Sequence, residues 1–180
     1  MKKTLLFLFA FSVFSTLQAQ FKPLSSEAKI SVLTIGSGDA LYDTFGHSAF
    51  RVKDAPNNLD VIFDYGRYDF GAPNFYLKFA QGKLNYQIGA SRFNSFYNLY
   101  VSEERKVTEQ VLNLTKKEKE ALYRFLLRNY RPENRDYLYD FFYDNCATKI
   151  KDVVNLSLNN QVSFENPENL SKETFRSLIH

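Results

Sequence analysis

One cysteine stands in this chain of 180 residues. Cys146 falls in FFYDNCATKIKD, residues 141–152, directly behind Asp144 and Asn145 and ahead of a stretch with helical spacing. A lone thiol forms no internal disulfide, so it serves either as a nucleophile or as a small buried apolar side chain. Nucleophilic work needs a thiol of lowered pKa, a base within reach and a third group that orients the base. If Asp144 or Asn145 caps the helix, the thiol lies in its first turn, where unpaired backbone N–H groups favour a thiolate. The same groups suit an oxyanion. Of the two histidines, His180 sits at the unpatterned chain end, which leaves His47 as the candidate base.

His47 opens HSAFRV, 47–52, which alternates: Ser48, Phe50 and Val52 share one face, and His47, Ala49 and Arg51 the other. LDVIFDY, 59–65, alternates as well, with Asp60, Ile62 and Asp64 on one face. Antiparallel pairing that matches like faces sets Val52 opposite Leu59, Phe50 opposite Val61 and Ser48 opposite Phe63. Arg51 then lies opposite Asp60, Ala49 opposite Ile62, and His47 opposite Asp64. An aspartate there fixes the imidazole tautomer and stabilises imidazolium; the plainer reading is an ordinary cross-strand polar pair. The small Ala49 leaves room for another element, and the helix bearing Cys146 is the candidate. The expected catalytic residues are therefore Cys146, His47 and Asp64. Asn145, Tyr42 and Thr44 are candidates for oxyanion contacts or support, the last two being equally well explained as loop residues.

Other chemistries fit less well. One Cys, one internal His and scattered acids show no metal-ligand spacing, so no metal is expected. GSGD, 36–39, lacks the lysine of a phosphate loop and the full dinucleotide fingerprint, and reads as a tight turn near the site. Arg105 reads as a solvated surface arginine.

The elements that must position these residues follow from patterning. ISVLTI, 30–35, is a buried strand; residues 36–46 form a loop with three glycines. After the two strands joined by KDAPNN comes a loop over 66–74, a short helix over 75–82 and a strand over 84–90. Phe93, Phe96, Tyr97, Tyr100 and Val101 recur at helical spacing, with Ser91 as a cap. RKVTEQVLNL, 105–114, alternates as a strand. Thr115 and Glu118 form a capping box that opens a helix ended by Pro132. Residues 133–143 are ambiguous. Ala147, Ile150, Val153 and Val154 form one apolar stripe behind Cys146, and Ser171 opens a last short helix. Helices and strands in mixed order make an α+β fold.

The first residues are a leader. Met1-Lys2-Lys3, an apolar run from Leu5 to Phe14 and a small residue at Ala19 give the three-part pattern of a secretory signal peptide. The run falls short of the ~20 residues a membrane span needs. No cysteine follows it, so no lipid anchor of that kind is expected. Cleavage after Ala19 leaves residues 20–180 as one domain. Lys and Arg number 23 against 20 Asp and Glu, and Lys2 and Lys3 leave with the leader, so the remainder is close to neutral. That excludes the basic footprint of a nucleic-acid binder. Tyr and Phe are abundant while Trp is absent. Aromatics fill cores or face lipid.

LTIGSGDALYDTFGHSAFRV, FDYGRYDF and YRPENRDYLYDFFYDNCATKIKD together resemble the periplasmic N-terminal domain of Lnb-type lipoprotein N-acyltransferases, over about residues 29–155. That family is similar to circularly permuted papain-like enzymes such as lecithin:retinol acyltransferase, in which the histidine precedes the cysteine, as His47 precedes Cys146. The resemblance implies an antiparallel sheet packed against helices, with Cys146 as nucleophile, His47 as base and Asp64 as the orienting residue. It implies acyl transfer through a thioester, with no cofactor, from a phospholipid to the N-terminal amine of a lipoprotein, in the periplasm and at the inner membrane. Two departures stand out. Members of full length continue into membrane spans, whereas this chain stops at residue 180 with no stop signal in its last helix, as a shortened form would. Lysine also stands at 149 where the family pattern leads one to expect arginine. Without spans, the aromatic helix at 93–101 is the expected contact with a membrane surface. A cysteine amidase or peptidase acting on cell-wall peptides, and a catalytically silent binding module, are the alternatives.

Overall fold

The computed structural model describes residues 22–39, 43–69, 71–159 and 162–163. Six strands form one antiparallel sheet: β1 Lys29–Ile35, β2 His47–Asp54, β3 Leu59–Arg67, β4 Asn85–Arg92, β5 Val107–Val111 and β6 Asp136–Leu138. Their spatial order is β5-β1-β2-β3-β4-β6. The helices are α1 Phe75–Ala80, α2 Phe93–Ser102, α3 Lys116–Asn129 and α4 Cys146–Ser157. The α+β expectation stands, with helices on both faces of the sheet.

Alternation along the central strands creates the two faces. Ile30, Phe50, Val52, Phe63, Tyr65 and Ile88 meet Leu122 and Leu126 of α3 and Val153 and Val154 of α4. Leu33, Ile35, Ala49 and Ile62 turn the other way, toward Phe96 of α2. Arg51 shares that second face: it is buried, forks onto Asp60 at 2.8 and 2.7 Å, and lies over the Phe93 ring at 3.3 Å. Central strands buried on both sides read as near-continuous apolar runs, which is why ISVLTI was legible as one.

The β2–β3 register differs from the expected one by two residues. Val52 pairs with Val61, Phe50 with Phe63 and Ala49 with Asp64. The cause lies in the turn. β2 runs on to Asp54, and the chain reverses through a short 3₁₀ turn, Ala55–Asn57, with Asn58 at φ 52°. Asp54 is fully buried; its carboxylate accepts from the Ser25 N–H (2.8 Å), Ser25 Oγ (2.5 Å) and Asn57 Nδ2 (2.6 Å). A two-residue shift keeps every side chain on its expected face. The pairs read as direct opposites, His47 with Asp64 and Arg51 with Asp60, persist as diagonal neighbours, which long side chains bridge.

β3 also bulges against β4. Asp64 pairs with Gly89 but Arg67 with Gln87, so one extra residue sits on β3, and Gly66 there takes φ 94°. A bulge re-aims the side chains beyond it. Here it brings Arg67 onto the face of Asp64, where an unbroken strand would have turned it away.

Thr115 caps α3 as expected: its hydroxyl accepts from Glu118 N–H at 3.3 Å, and Glu118 Oε2 accepts from Thr115 N–H at 2.7 Å. Ser91 is no cap; it lies in β4, and Arg92 precedes α2 without a side-chain cap. The strand expected over 105–114 shortens to Val107–Val111, and the ambiguous stretch supplies edge strand β6. The leader and the helix expected at Ser171 lie outside the described residues. Among the described residues no helix is long and apolar enough to cross a membrane.

Candidate active site

α4 begins on Cys146, with Asn145 as its N-cap. Asn145 Oδ1 accepts from the Ala147 and Thr148 N–H groups at 2.9 and 3.0 Å, and Thr148 Oγ1 accepts from Asn145 N–H at 2.8 Å. Asn145 Nδ2 donates to Phe141 O at 2.8 Å. Asn145 therefore supports the thiol through the cap, with its side-chain oxygen and one amide hydrogen engaged. The preceding turn is tied by the Asp140–Asp144 bridge, and Asp144 is held by Lys149 Nζ at 2.6 Å. Lysine at 149 therefore anchors the approach to the cysteine, with its ammonium 4.4 Å from the Tyr137 ring centroid.

His47 is the first residue of β2, and Gly46 delivers it there. Gly46 takes φ 72°, and a Cβ at this position would lie 2.4 Å from the Ile35 carbonyl oxygen. Only glycine fits both demands. Ala49, fully buried, leaves the space beside the ring that α2 fills: Phe96 and Tyr100 approach the imidazole with centroid separations of 6.5 and 6.4 Å.

The three expected catalytic residues converge. His47 Nε2 lies 3.3 Å from Asp64 Oδ2, with the carboxylate side chain only 6% exposed. In the neutral ring, a carboxylate acceptor keeps the proton on Nε2 and leaves Nδ1 as the basic nitrogen. The half-buried Cys146 thiol lies close enough to His47 for each to shift the other's pKa. Burial works against charge on His47, but the bonds to Asp64 and Cys146 outweigh it and lift its pKa from 6.5 to about 9. Burial likewise disfavours the thiolate, yet His47 and the N–H groups of Ser48 and Ala147 pull the Cys146 pKa below its ordinary value. Asp64 is held low against burial by His47 and Arg67. The result favours a thiolate–imidazolium pair with an ionised aspartate behind it.

The Ser48 N–H follows from topology. The β2–β3 ladder stops at Ala49–Asp64, and the Ser48 amide, beyond that last pair, lies close enough to the sulfur to favour its charged form. It was not among the expected contacts, because a strand amide carries no sequence signal. Thr44 is exposed in the 43–45 turn, and Tyr42 and His180 lie outside the described residues. Arg105 is not a solvated surface arginine. Its side chain is 3% exposed, pairs with Asp43 (2.8 Å) and Glu103 (3.1 Å), and donates to Gly36 O at 3.0 Å. It ties the glycine loop down just before His47.

Arg67 was missed as well. Its Nε donates to both Asp64 oxygens at 3.0 and 2.9 Å, and Nη2 donates to Asp64 Oδ1 and, at 3.2 Å, to Ser91 Oγ. The only signal was the glycine two residues after Asp64, a possible bulge position.

In this α+β protein two central strands and a helix start bring together a cysteine, a histidine and an aspartate, the residue types a cysteine nucleophile uses. The comparisons narrow this. The model of the Lnb N-terminal periplasmic domain matches residues 15–180, and the chain belongs to that family. No curated protein and no solved structure matches the chain.

Proposed function

We propose that this domain is a periplasmic cysteine acyltransferase that moves an acyl chain from a phospholipid to the N-terminal amine of a lipoprotein through a Cys146 thioester. The observation that carries the reading is the convergence of Cys146, His47 and Asp64, in a domain whose family name ties it to Lnb proteins.

The chemistry runs in two halves. The Cys146 thiolate attacks the ester carbonyl, and the Ser48 N–H, beside the sulfur and beyond the last β2–β3 pair, is the candidate donor to the oxyanion. The intermediate collapses as His47 gives its proton to the leaving alkoxide of the lysophospholipid. The lipoprotein amine then attacks the thioester, His47 takes the amine's proton, and the thiolate leaves. Asp64 keeps the ring oriented and stabilises its charged form in both halves. The order of the histidine strand before the cysteine helix fits a permuted papain-like arrangement. The exported location is supported by the leader expected from the sequence and by the family's description as a periplasmic domain, and α2, with Tyr97, Leu99 and Val101 exposed, offers an apolar surface toward a membrane.

Incubation with acyl-labelled phospholipid tests this. A labelled, hydroxylamine-sensitive adduct that disappears in Cys146→Ser is expected. Turnover of cell-wall peptides with no lipid adduct would replace acyl transfer by amide hydrolysis, and inertness toward both would leave a binding module.

A further inference from the structure

Asp64 is the pivot of the site, yet its own bond to His47 is long at 3.3 Å. What holds the carboxylate is Arg67. Among the described residues, Asp64 has two side-chain partners, His47 and Arg67, and Arg67 makes three of the four hydrogen bonds. The guanidinium reaches it only because of two glycines. Gly66, at φ 94°, forms the bulge that turns Arg67 onto the Asp64 face. Gly89, paired with Asp64 on the next strand, vacates the space: a Cβ there would lie 2.1 Å from Arg67 Nε and 2.4 Å from Cζ. The side chain is 38% exposed, so water competes on one flank while the carboxylate beneath it is 6% exposed.

We propose that Arg67, laid across Gly89, is a positioning residue that fixes the Asp64 carboxylate against His47 and so keeps Cys146 ready to ionise. Removing the arginine leaves a buried carboxylate without its guanidinium, held only by the long bond to His47. Such a group takes up a proton or turns toward water. Either change takes the negative charge away from His47, and the thiolate loses the imidazolium that stabilises it. The inference rests on reading Cys146, His47 and Asp64 as one unit, but not on the identity of any substrate.

The other titratable groups around the pair are Tyr100 from α2, Tyr137 and Tyr139 at and beyond β6, and Asp144 with Lys149 at the head of α4. Arg105 and Asp43 stand behind Tyr100. None of these is a hydrogen-bond partner of the Asp64 carboxylate, so the loss of Arg67 reaches the thiol through Asp64.

The test is iodoacetamide alkylation of Cys146 across pH in the full chain, which needs no substrate. Arg67→Gln is expected to slow alkylation at neutral pH about tenfold and to move its midpoint upward. Gly89→Ala, which displaces the guanidinium from the neighbouring strand, is expected to do the same. Arg67→Lys, which restores charge without the fork, is expected to recover part of the rate. In an Asp64→Asn background, Arg67→Gln is expected to add nothing. A parental profile in folded Arg67→Gln or Gly89→Ala protein overturns the proposal, as does an Arg67→Gln effect of undiminished size in the Asp64→Asn background. If lipid labelling fails while these shifts appear, acyl transfer falls and the role of Arg67 stands.

Discussion

Two helices of this domain start with the same local device and use it differently. Thr115 with Glu118 opens α3, and Asn145 with Thr148 opens α4; both are reciprocal capping boxes. At α3 the third helical residue is an acid, so the positive end of the helix is met by a carboxylate within its first turn. The first turn of α4 holds no acidic residue and begins on Cys146. Its field is left for the sulfur. The second difference is the setting. The Thr115 cap is exposed, whereas the start of α4 abuts the end of β2, where His47 and the Ser48 amide stand. A helix start is therefore not a site in itself. It becomes one when the cap spares the first residue and a sheet brings a base to it.

The largest expected effect separates the two ends outright. Cys146→Ser is expected to abolish acyl transfer, and His47→Ala to reduce it by about 10²–10⁴. Substitution of Lys116, the first residue of α3, is expected to leave turnover at the parental level. Circular dichroism should report an intact fold in each case.

The charge pair at α4 gives stability a pH dependence on the alkaline side, whereas Glu118 at α3, lowered by its bonds to Thr115, acts on the acid side. His47 rises from 6.5 to about 9 on folding. Its stabilisation is therefore fully present below about pH 6.5 and is lost as pH rises through about 9. Urea melts of the parent and His47→Ala at pH 6 and pH 9.5 should differ at the lower pH and converge toward the higher one.

Cap removal compares the two ends directly. Thr115→Ala and Asn145→Ala are each expected to cost about 1 kcal/mol in a denaturant melt. Only Asn145→Ala should also slow alkylation of Cys146, because its loss frees the first turn that holds the thiol. The smallest expected effect comes from making α4 resemble α3. Thr148→Glu keeps a capping-box partner at the third position but places a carboxylate in the first turn. At about 0.3–1 kcal/mol of dipole interaction, alkylation should fall roughly two- to fivefold.

What could be read from the sequence was local or periodic. The Thr115–Glu118 box, the cap before Cys146 and the faces of residues 47–52 and 59–65 follow from spacing within a few residues. The convergence of His47 and Asp64 followed from faces alone, and it survived a register misread by two because faces repeat every two residues. What could not be read depends on distant partners. The register hangs on buried Asp54 accepting from Ser25, a residue 29 positions earlier. Arg105 is buried because Asp43 and the Gly36 carbonyl receive it. Arg67 needs a bulge and a glycine on the next strand. Such contacts leave only glycines in the sequence, and a glycine does not name the side chain that will use its space.

Alkylation of Cys146 by iodoacetamide as a function of pH, in the parent and in His47→Ala, tests the central ion pair most directly. The parent should react with a midpoint well below that of a free thiol, ~8.5, and His47→Ala should move that midpoint upward. Coincident profiles in the two proteins, or a parental midpoint at or above the free-thiol value, would contradict a thiolate held by His47.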